Sequence, residues 1–222
     1  MKSTYSYKKG EEIYGQGKAA TYCYQVVNGA ICISSRLTNG RRQIGAFYFP
    51  RDVFGLDPSM RYRWSANAIV EATTVRGVKR KALLRKAELN LSFARSVRSI
   101  AERDLLHAED HRILLGQLTA RERVAAFLIQ MNNRIGVDGE IELPMSRTDI
   151  GDYLGLKLET VSREISKLSD QGVLRRLDGI PRARGLTLRR PESLRAMLPP
   201  LSALDLSPIR EEFIQTIFFS ET

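Results

Sequence analysis

Residues 146–172 read SRTDIGDYLGLKLETVSREISKLSDQG, the pattern of two short helices joined by a tight turn. Ser146 can cap the first helix, because Asp149 follows it at the spacing of a capping box. The apolar residues before the turn recur every three or four positions, as on one face of a helix. Gly155 suits the left-handed conformation that ends a helix and lets the chain turn sharply. The stretch therefore predicts a helix-turn-helix.

The second helix of this stretch begins near Leu158 and buries a face formed by Val161, Ile165 and Leu168. Its polar residues lie outside: Glu159, Thr160, Ser162, Arg163, Ser166 and Lys167. Such a face can read base edges in the major groove, since Arg donates two hydrogen bonds to guanine, Glu accepts from cytosine and Ser does either. The same pattern also fits a solvated helical hairpin in a bundle. This stretch alone therefore does not distinguish a DNA-binding motif from such a hairpin, and the rest of the chain has to be considered.

Length and composition are those of a soluble globular protein with room for two domains. The chain has 222 residues, of which 43% are hydrophobic and 27% charged. No apolar run approaches the roughly 20 residues that cross a bilayer, and the N-terminus lacks the apolar core of a secretory signal. Cys23 and Cys32 are too few for a disulfide framework and match no zinc spacing. We expect a cytoplasmic protein with no membrane partner, whose cysteines are small buried residues rather than redox-active thiols.

Basic residues outnumber acidic ones, which favours an anionic partner. Residues 1–118 hold 20 basic against 10 acidic side chains and residues 119–190 hold 13 against 10, so the excess does not by itself indicate the helix-turn-helix. Just after that motif, however, six arginines face only Asp178 within sixteen residues: Arg175, Arg176, Arg182, Arg184, Arg189 and Arg190. Such a cluster suits phosphate contacts, which supply most sequence-independent affinity for DNA.

The first 82 residues have the pattern of short strands joined by turns. Asn28-Gly29 and Asn39-Gly40 are strong hairpin signals, because both pairs tolerate the positive backbone angles of tight turns. We predict two hairpins around them: 24–27 with 30–33, and 33–37 with 43–47. These hairpins favour an antiparallel β-roll or barrel.

From about Lys81 the period becomes helical, with a short helix at 81–85 and a long one from near Ser92 to Gln117. The long helix carries a narrow stripe with small residues, a pattern typical of helices that pair with a copy of themselves. We assign this stripe to a dimer interface: Val97, Ala101, Leu105, Ala108, Arg112 and Leu115. The alternative is that the helix packs against its own β-roll.

His107 and His111 lie one turn apart on the long helix, a spacing that can bind a metal ion. No carboxylate motif of the zinc-protease kind surrounds them, so we expect no metal site. The chain also lacks a glycine-rich phosphate loop, a GxSxG motif and an evident nucleophile for either histidine. We therefore expect no catalytic residues and no enzymatic activity.

The residues around the helix-turn-helix complete a winged domain. Thr119 opens a helix over 120–132 with a capping box, and a strand follows at 141–144. Two further strands enclose the arginine-rich loop as a basic wing: 173–174 and 185–188. Beyond the wing, we predict a short helix and an amphipathic segment without a functional interpretation: 192–198 and 209–219.

This order of parts resembles the cyclic-AMP receptor protein/FNR (CRP/FNR) family of bacterial transcription regulators over roughly residues 7–198. The most specific part is the run Glu159-Thr160-Val161-Ser162-Arg163, whose E-x-x-S-R core is similar to that of the FNR and FixK branch. The resemblance implies a homodimeric activator of FixK type that binds palindromes with TTGA-like and TCAA-like ends. It also implies RNA polymerase as a partner, and genes of oxygen-limited respiration and nitrogen fixation as targets. Carried over by position, it implies four base-reading residues: Leu158, Glu159, Ser162 and Arg163.

Around these base-reading residues we expect side chains that contact the DNA backbone: Ser146, Arg147, Thr148, Lys157, Thr160, Lys167, Arg182 and Arg184. The expected fold is α+β and has four parts. They are a β-roll of the cyclic-nucleotide-binding type at 1–86, a dimerisation helix at 87–118, a winged helix-turn-helix at 119–190, and a C-terminal helix and tail at 191–222.

The departures from the family concern the ligand. Its cyclic-nucleotide sensors carry a Gly-Glu pair and, about ten residues later, an Arg-Ser pair, where this chain reads FGLD at 54–57 and WSA at 64–66. Arg61 and Arg63 lie nearby in the wrong register. The sequence also lacks the N-terminal cysteine cluster of iron–sulfur sensors and the roll histidine of haem sensors. We predict a regulator without a small-molecule cofactor; the alternative is a ligand-dependent regulator whose roll binds an unidentified effector.

Overall fold

The computed structural model describes residues 3–57, 59–177 and 185–199. They form two compact units whose boundary falls between His107 and Ala108, inside one long helix. The first unit begins with strands: β1 (Ser3–Tyr7), β2 (Glu12–Tyr14), β3 (Tyr22–Asn28), β4 (Ile31–Arg36), β5 (Arg42–Tyr48), β6 (Val53–Phe54), β7 (Ser65–Ala68) and β8 (Thr73–Lys79). Two helices follow: α1 (Arg80–Leu89) and α2 (Leu91–Gln117).

The strands of the first unit form two antiparallel four-stranded sheets, in the orders β1-β8-β3-β6 and β2-β7-β4-β5. Both sheets contribute side chains to one core: Ala20, Tyr24, Val26, Ile31, Phe54, Tyr62, Ala66 and Val75. The antiparallel β-roll expected from the sequence is confirmed.

One of the two predicted hairpins forms and the other does not. Strands β4 and β5 pair across the turn at Asn39-Gly40, with Ser35 opposite Gln43. Strands β3 and β4 belong to different sheets, so the predicted pairing of 24–27 with 30–33 is wrong.

The turn at Asn28-Gly29 instead carries the chain from one sheet to the other. Gly29 has a φ of +88°, and a Cβ there would lie 2.5 Å from the hydroxyl oxygen of Thr73. The sequence signal for a left-handed turn was therefore right, but such a signal does not determine which strand pairs next. Val26 in β3 and Ile31 in β4 bury their side chains in the same core. Two strands in different sheets that face each other can both contribute to that core, so burial of these residues does not require the strands to pair.

Aromatic rings line the roll core. The rings of Tyr14 and Tyr62 stack with centroids 3.7 Å apart, and those of Tyr24 and Phe54 stack at 5.3 Å. The Tyr62 hydroxyl donates to the carbonyl of Tyr22 at 2.6 Å. Burial raises the pKa of Tyr14 and Tyr24 above the usual value of 10, so both remain neutral phenols. This part of the roll interior is therefore close-packed and uncharged.

In the loop before β7, charged side chains form hydrogen bonds with nearby backbone groups. The Asp57 carboxylate accepts from the N–H of Ser59 at 3.1 Å and from the N–H of Arg63 at 2.9 Å. The Arg61 guanidinium donates to the carbonyl of Gly17 at 2.8 Å. These bonds hold the loop against the roll.

The two cysteines are buried, as expected for small core residues. Cys23 lies in a second core cluster, where α1 and α2 pack on the roll, with Val53, Leu83, Phe93 and Ile100. Burial raises the pKa of the Cys23 thiol to about 11. The thiol is therefore protonated at neutral pH, the less reactive form.

Asn90 separates the two helices of the first unit. Its side-chain oxygen accepts from the N–H of Phe93 at 2.9 Å, which caps α2. Helix α1 is longer than the predicted 81–85, and α2 begins one residue before the predicted start.

The second unit contains the elements of a winged helix-turn-helix: α3 (Ala120–Ile135), β9 (Glu140–Glu142), α4 (Arg147–Leu154), α5 (Leu158–Asp170), β10 (Leu174–Arg176), β11 (Gly185–Leu188) and α6 (Pro191–Ala196). The three strands form one antiparallel sheet in the order β10-β11-β9. Thr119 and Glu122 form the predicted capping box of α3.

None of the helices in the described ranges combines the length and apolar character that crossing a bilayer requires. The segment predicted at 209–219 lies outside those ranges.

Candidate nucleic-acid interface

The first helix of the helix-turn-helix, α4, begins at a complete capping box. The Ser146 hydroxyl accepts from the N–H of Asp149 at 3.1 Å, and the Asp149 carboxylate accepts from the N–H of Ser146 at 2.9 Å. The Ser146 hydroxyl also donates to this carboxylate at 2.6 Å. The shorter aspartate therefore reaches both partners of the box, and the predicted cap is confirmed.

Two glycines shape the turn that follows α4. Gly155 has a φ of +64°, the left-handed conformation predicted for it. A Cβ on Gly151 would lie 2.6 Å from the carbonyl oxygen of Leu156, whose N–H donates to the Gly151 carbonyl at 2.9 Å. Any side chain at position 151 would therefore push the turn away from α4.

Helix α5 has one buried face and one polar face. Val161, Ile165 and Leu168 are buried, as predicted. The exposed residues include all four predicted base-reading side chains together with one predicted phosphate contact: Leu158, Glu159, Ser162, Arg163 and Lys167. The base-reading residues lie on the first two turns of α5, on adjoining positions of its open face. Their contact with DNA stays a prediction.

Glu164 is the residue of α5 that sequence-based reasoning missed. Its side chain is buried, and its Oε1 atom lies 3.0 Å from Lys167 Nζ and 3.6 Å from Arg163 Nε. The spacing did carry a signal, because position 164 lies three residues after Val161 and four before Leu168, within the buried arc of the helix.

Arg123, on the first turn of α3, joins the ends of two other helices. Its guanidinium donates to the carbonyl of Leu115 at 2.8 Å and of Leu118 at 2.9 Å, at the C-terminal end of α2. It also donates to the carbonyl of Leu154 at 3.0 Å, at the end of α4. Carbonyl groups at helix ends lack intrahelical partners, and a cation there also complements the helix dipole. One side chain thus fixes the end of α2 relative to the helix-turn-helix.

His111 makes a second connection between α2 and α4. Its ring stacks on the ring of Tyr153 with centroids 4.1 Å apart, and its Nε2 atom lies 2.7 Å from the Tyr153 carbonyl oxygen. Burial lowers the pKa of His111, while the hydrogen bond to Tyr153 partly opposes that effect. The described residues contain no group of three or more His, Cys, Asp or Glu side chains placed to hold a metal ion.

The predicted phosphate contacts differ in their freedom to reach DNA. Thr148 and Lys157 are exposed, whereas Arg147 and Thr160 are half-buried. Ser146 is exposed, but its hydroxyl proton is already donated to Asp149. Arg182 and Arg184 lie outside the described residues, although the wing strands that precede and follow them, β10 and β11, pair as predicted. All of these contacts stay predictions.

The stripe assigned to a dimer interface is exposed along its middle. Val97 is half-buried and packs against the second core cluster, where α1 and α2 meet the roll, as the alternative interpretation of the helix predicts for that position. Leu115 is half-buried as well. The other members are exposed in the single chain: Ala101, Leu105, Ala108 and Arg112. Leu106, which the predicted stripe does not include, is also exposed.

Comparison with known proteins identifies both units. A model of the cyclic nucleotide-binding domain matches residues 4–90, and a model of the Crp-like helix-turn-helix domain matches residues 122–197. The nitrogen fixation regulation protein FixK of Rhizobium meliloti is 38% identical over 192 residues, which cover 86% of this chain and 85% of that protein. FixK of Azorhizobium caulinodans is 38% identical over 196 residues, covering 86% and 77%. The solved structure of FixK2 from Bradyrhizobium japonicum matches with a TM-score of 0.86 at 48% identity, covering 91% of this chain and all of that one.

Proposed function

Because this chain belongs to the CRP/FNR family of bacterial transcription regulators, as a FixK-type member with a DNA-binding helix-turn-helix, we propose that it is a homodimeric, sequence-specific transcription activator. Its target in this proposal is a palindrome with TTGA-like and TCAA-like ends. The observation that carries the proposal is the exposed face of α5, where Glu159, Ser162 and Arg163 lie together above a buried apolar face.

Those side chains have the chemistry that base recognition requires. Arg163 can donate two parallel hydrogen bonds to a guanine, and Glu159 can accept from the amino group of a cytosine. Leu158 is exposed beside them and can contact a thymine methyl group. Phosphate contacts from Arg147, Lys157 and the other assigned residues would then fix the position of α5 in the groove.

Dimerisation in this proposal is supported by the exposed leucines and alanines on α2. Ala101 and Ala108 are small enough to let a second α2 approach closely, and Leu105 is exposed between them. A two-fold axis along α2 would place two copies of α5 in successive major grooves about one helical turn apart, which matches a palindromic site. In this proposal the four sequence segments keep their assigned roles: 1–86 as roll, 87–118 as dimerisation helix, 119–190 as DNA-binding domain and 191–222 as C-terminal helix and tail.

The genes it controls follow from its relatives. Regulation of nitrogen fixation is named for the FixK proteins it resembles, and we assign to this chain the genes of oxygen-limited respiration and nitrogen fixation. It would act in the cytoplasm by recruiting RNA polymerase to the promoter, through binding rather than through catalysis.

Independence from a small-molecule cofactor is supported by two features of the roll. The uncharged aromatic packing around Tyr14, Tyr62 and Phe54 offers no charged partner to a cyclic phosphate. Asp57 and Arg61, the charged groups closest in type to the missing carboxylate and arginine, are hydrogen-bonded to backbone atoms of the roll. These two features support a regulator that acts without a cyclic nucleotide.

The second candidate is a ligand-dependent regulator, which the match of residues 4–90 to a cyclic nucleotide-binding domain favours. One assay separates the two. Fluorescence anisotropy of the purified protein on a labelled TTGA–TCAA palindrome, and on a scrambled duplex of the same length, is measured with no additive and then with cyclic AMP or cyclic GMP. We expect strong preference for the palindrome without additive. Binding that needs an added nucleotide supports the second candidate, and no preference for the palindrome without additive contradicts the first.

A further inference from the structure

Glu164 places a buried carboxylate between two exposed cations of the helix that is proposed to read DNA. The side chain of Glu164 is 8% exposed, against 62% for Arg163 and 51% for Lys167. Its Oε1 atom accepts a hydrogen bond from Lys167 Nζ at 3.0 Å and lies 3.6 Å from Arg163 Nε. The carboxylate therefore sits at the edge of the buried face and holds two side chains that extend toward the open face.

This position does not require a charge for packing. Its neighbours on the buried face are apolar, Val161, Ile165 and Leu168, and an apolar side chain at 164 would continue that face. A buried carboxylate contributes little net stability compared with an apolar side chain of similar volume, because its desolvation offsets its attraction to a cation. A consequence specific to a carboxylate is the placement and partial neutralisation of Arg163 and Lys167.

We propose that Glu164 is a positioning residue that raises the sequence specificity of DNA binding. It restricts the rotamers of Arg163, so that the guanidinium reaches a base edge with less loss of conformational freedom. It also pairs with Lys167 and places a negative charge close to the DNA backbone, which competes with phosphate for Lys167 and weakens sequence-independent attraction. Specific binding gains from the first effect, and non-specific binding loses from the second.

The inference rests on the proposed role of α5 in reading DNA, and the wild-type protein tests that role separately. If the wild-type chain shows no preference for the palindrome over a scrambled duplex, the proposed function fails, whatever Glu164 does. If the wild-type chain shows the preference and a Glu164 variant keeps it, only the role of Glu164 fails.

The experiment measures the ratio of affinities for the palindrome and the scrambled duplex in the full-length chain, at several salt concentrations. Glu164→Gln keeps the side-chain length and removes the charge. We expect the ratio to fall about tenfold, the size of one good base contact. We expect affinity for the scrambled duplex to rise, with a salt slope steeper by up to about one, because the Glu164 carboxylate no longer competes with phosphate for Lys167. A ratio unchanged within threefold, or equal losses on both duplexes, overturns the proposal.

Two further variants exclude a purely structural effect. Glu164→Met places an apolar, unbranched side chain on the buried face and must also lower the ratio. If the glutamine variant does not fold, the methionine variant alone tests the proposal. Asp170→Asn makes the same change of charge at an exposed position of the same helix and must leave the ratio within twofold.

A double-mutant cycle tests the route through Arg163. In an Arg163→Ala background, Glu164→Gln should lower the ratio by much less than in the wild-type background, because the side chain that it positions is gone and only the effect through Lys167 remains. A second, independent loss of about tenfold in that background would overturn the proposed coupling.

Discussion

The imidazole Nε2 atom of His111 lies 2.7 Å from the carbonyl oxygen of Tyr153, and the two rings stack nearly parallel, with planes 5° apart. Since a carbonyl oxygen can only accept, Nε2 carries the proton of this hydrogen bond. The contact joins α2, which carries the proposed dimer stripe, to α4 of the helix-turn-helix. Together with Arg123 it makes the end of α2 and the DNA-binding helices one packed structure.

The burial of His111 predicts a specific dependence of stability on pH. Burial lowers its pKa in the folded chain below the value of 6.5 that an exposed histidine has. As the pH falls through about 6.5, the unfolded chain therefore takes up a proton that the folded chain does not, and the free energy of unfolding decreases. The decrease ends once the pH is below the lowered pKa. We expect urea denaturation between pH 5 and 8 to show this decrease for the wild-type chain.

Variants of the two histidines test whether the pH dependence of stability comes from His111. His111→Gln keeps a side-chain N–H donor and should remove this part of the pH dependence, although its overall stability is lower because the ring stacking is lost. His107→Gln replaces the other histidine of the chain and is the comparison, in which the part of the pH dependence that His111→Gln removes should remain. Parallel profiles for the wild-type chain and His111→Gln would contradict the assignment.

Arg123→Met should destabilise the chain by about 2 kcal/mol, because carbonyl groups at the ends of α2 and α4 lose their donors in a half-buried site. Affinity for the full palindrome should fall more than affinity for a duplex with a single half-site, since the two copies of α5 are then less firmly held at one separation. Arg121→Met is the control: its guanidinium bonds one exposed side chain, that of Gln171, and its loss should change stability by less than about 0.5 kcal/mol. Equal losses on the two duplexes would contradict a positioning role for Arg123.

The parts of this fold that depend on near neighbours in the sequence could be predicted from it. The capping boxes at Ser146 and Thr119 depend on two side chains three residues apart. The left-handed turn at Gly155 depends on the residue type at a single position. The buried face of α5 follows from the helical period. The pairing of β3 with β8 rather than with β4 could not be predicted in this way, because turn chemistry at Asn28-Gly29 is the same for both outcomes.

The contacts of Arg123 and His111 could not be predicted from the sequence either, because their partners lie far away along the chain. Arg123 donates to the carbonyl of a residue 31 positions away, and His111 bonds the carbonyl of a residue 42 positions away. Every residue carries a main-chain carbonyl, so no residue type marks these partners in the sequence. Glu164 differs, because its position within the buried arc of α5 could have been noticed from spacing alone.

Arg163→Ala should remove sequence recognition with little effect on general attraction to DNA. Loss of a two-bond contact to guanine lowers affinity for the palindrome by roughly 10- to 100-fold, or about 1–3 kcal/mol. Affinity for a scrambled duplex should fall less than about threefold, because only one positive charge near the phosphates is removed. A gel-shift titration on both duplexes measures this. Equal losses would mean that Arg163 contacts the backbone rather than a base.

The wing arginines should behave in the opposite way. Replacing Arg182 and Arg184 with alanine should weaken binding to the palindrome and to a scrambled duplex alike. It should also reduce the slope of log affinity against log salt by about one for each arginine that binds a phosphate in the wild-type chain. Binding at four salt concentrations provides the slope. An effect confined to the palindrome would show that the wing reads sequence.

Leu105→Glu should convert the protein to a monomer. Leu105 is 60% exposed in the single chain, and a carboxylate there would face its own copy across a two-fold axis, where like charges repel and a buried charge is unpaired. Sedimentation velocity should show one chain instead of two, and binding to the palindrome should weaken to the level of a single half-site. Leu89→Glu is the matched control, because Leu89 is 81% exposed at the end of α1 and is not a member of the stripe, so its replacement should leave the dimer intact. A dimer that persists in Leu105→Glu would place the interface elsewhere and remove the geometric basis for two copies of α5 in successive grooves.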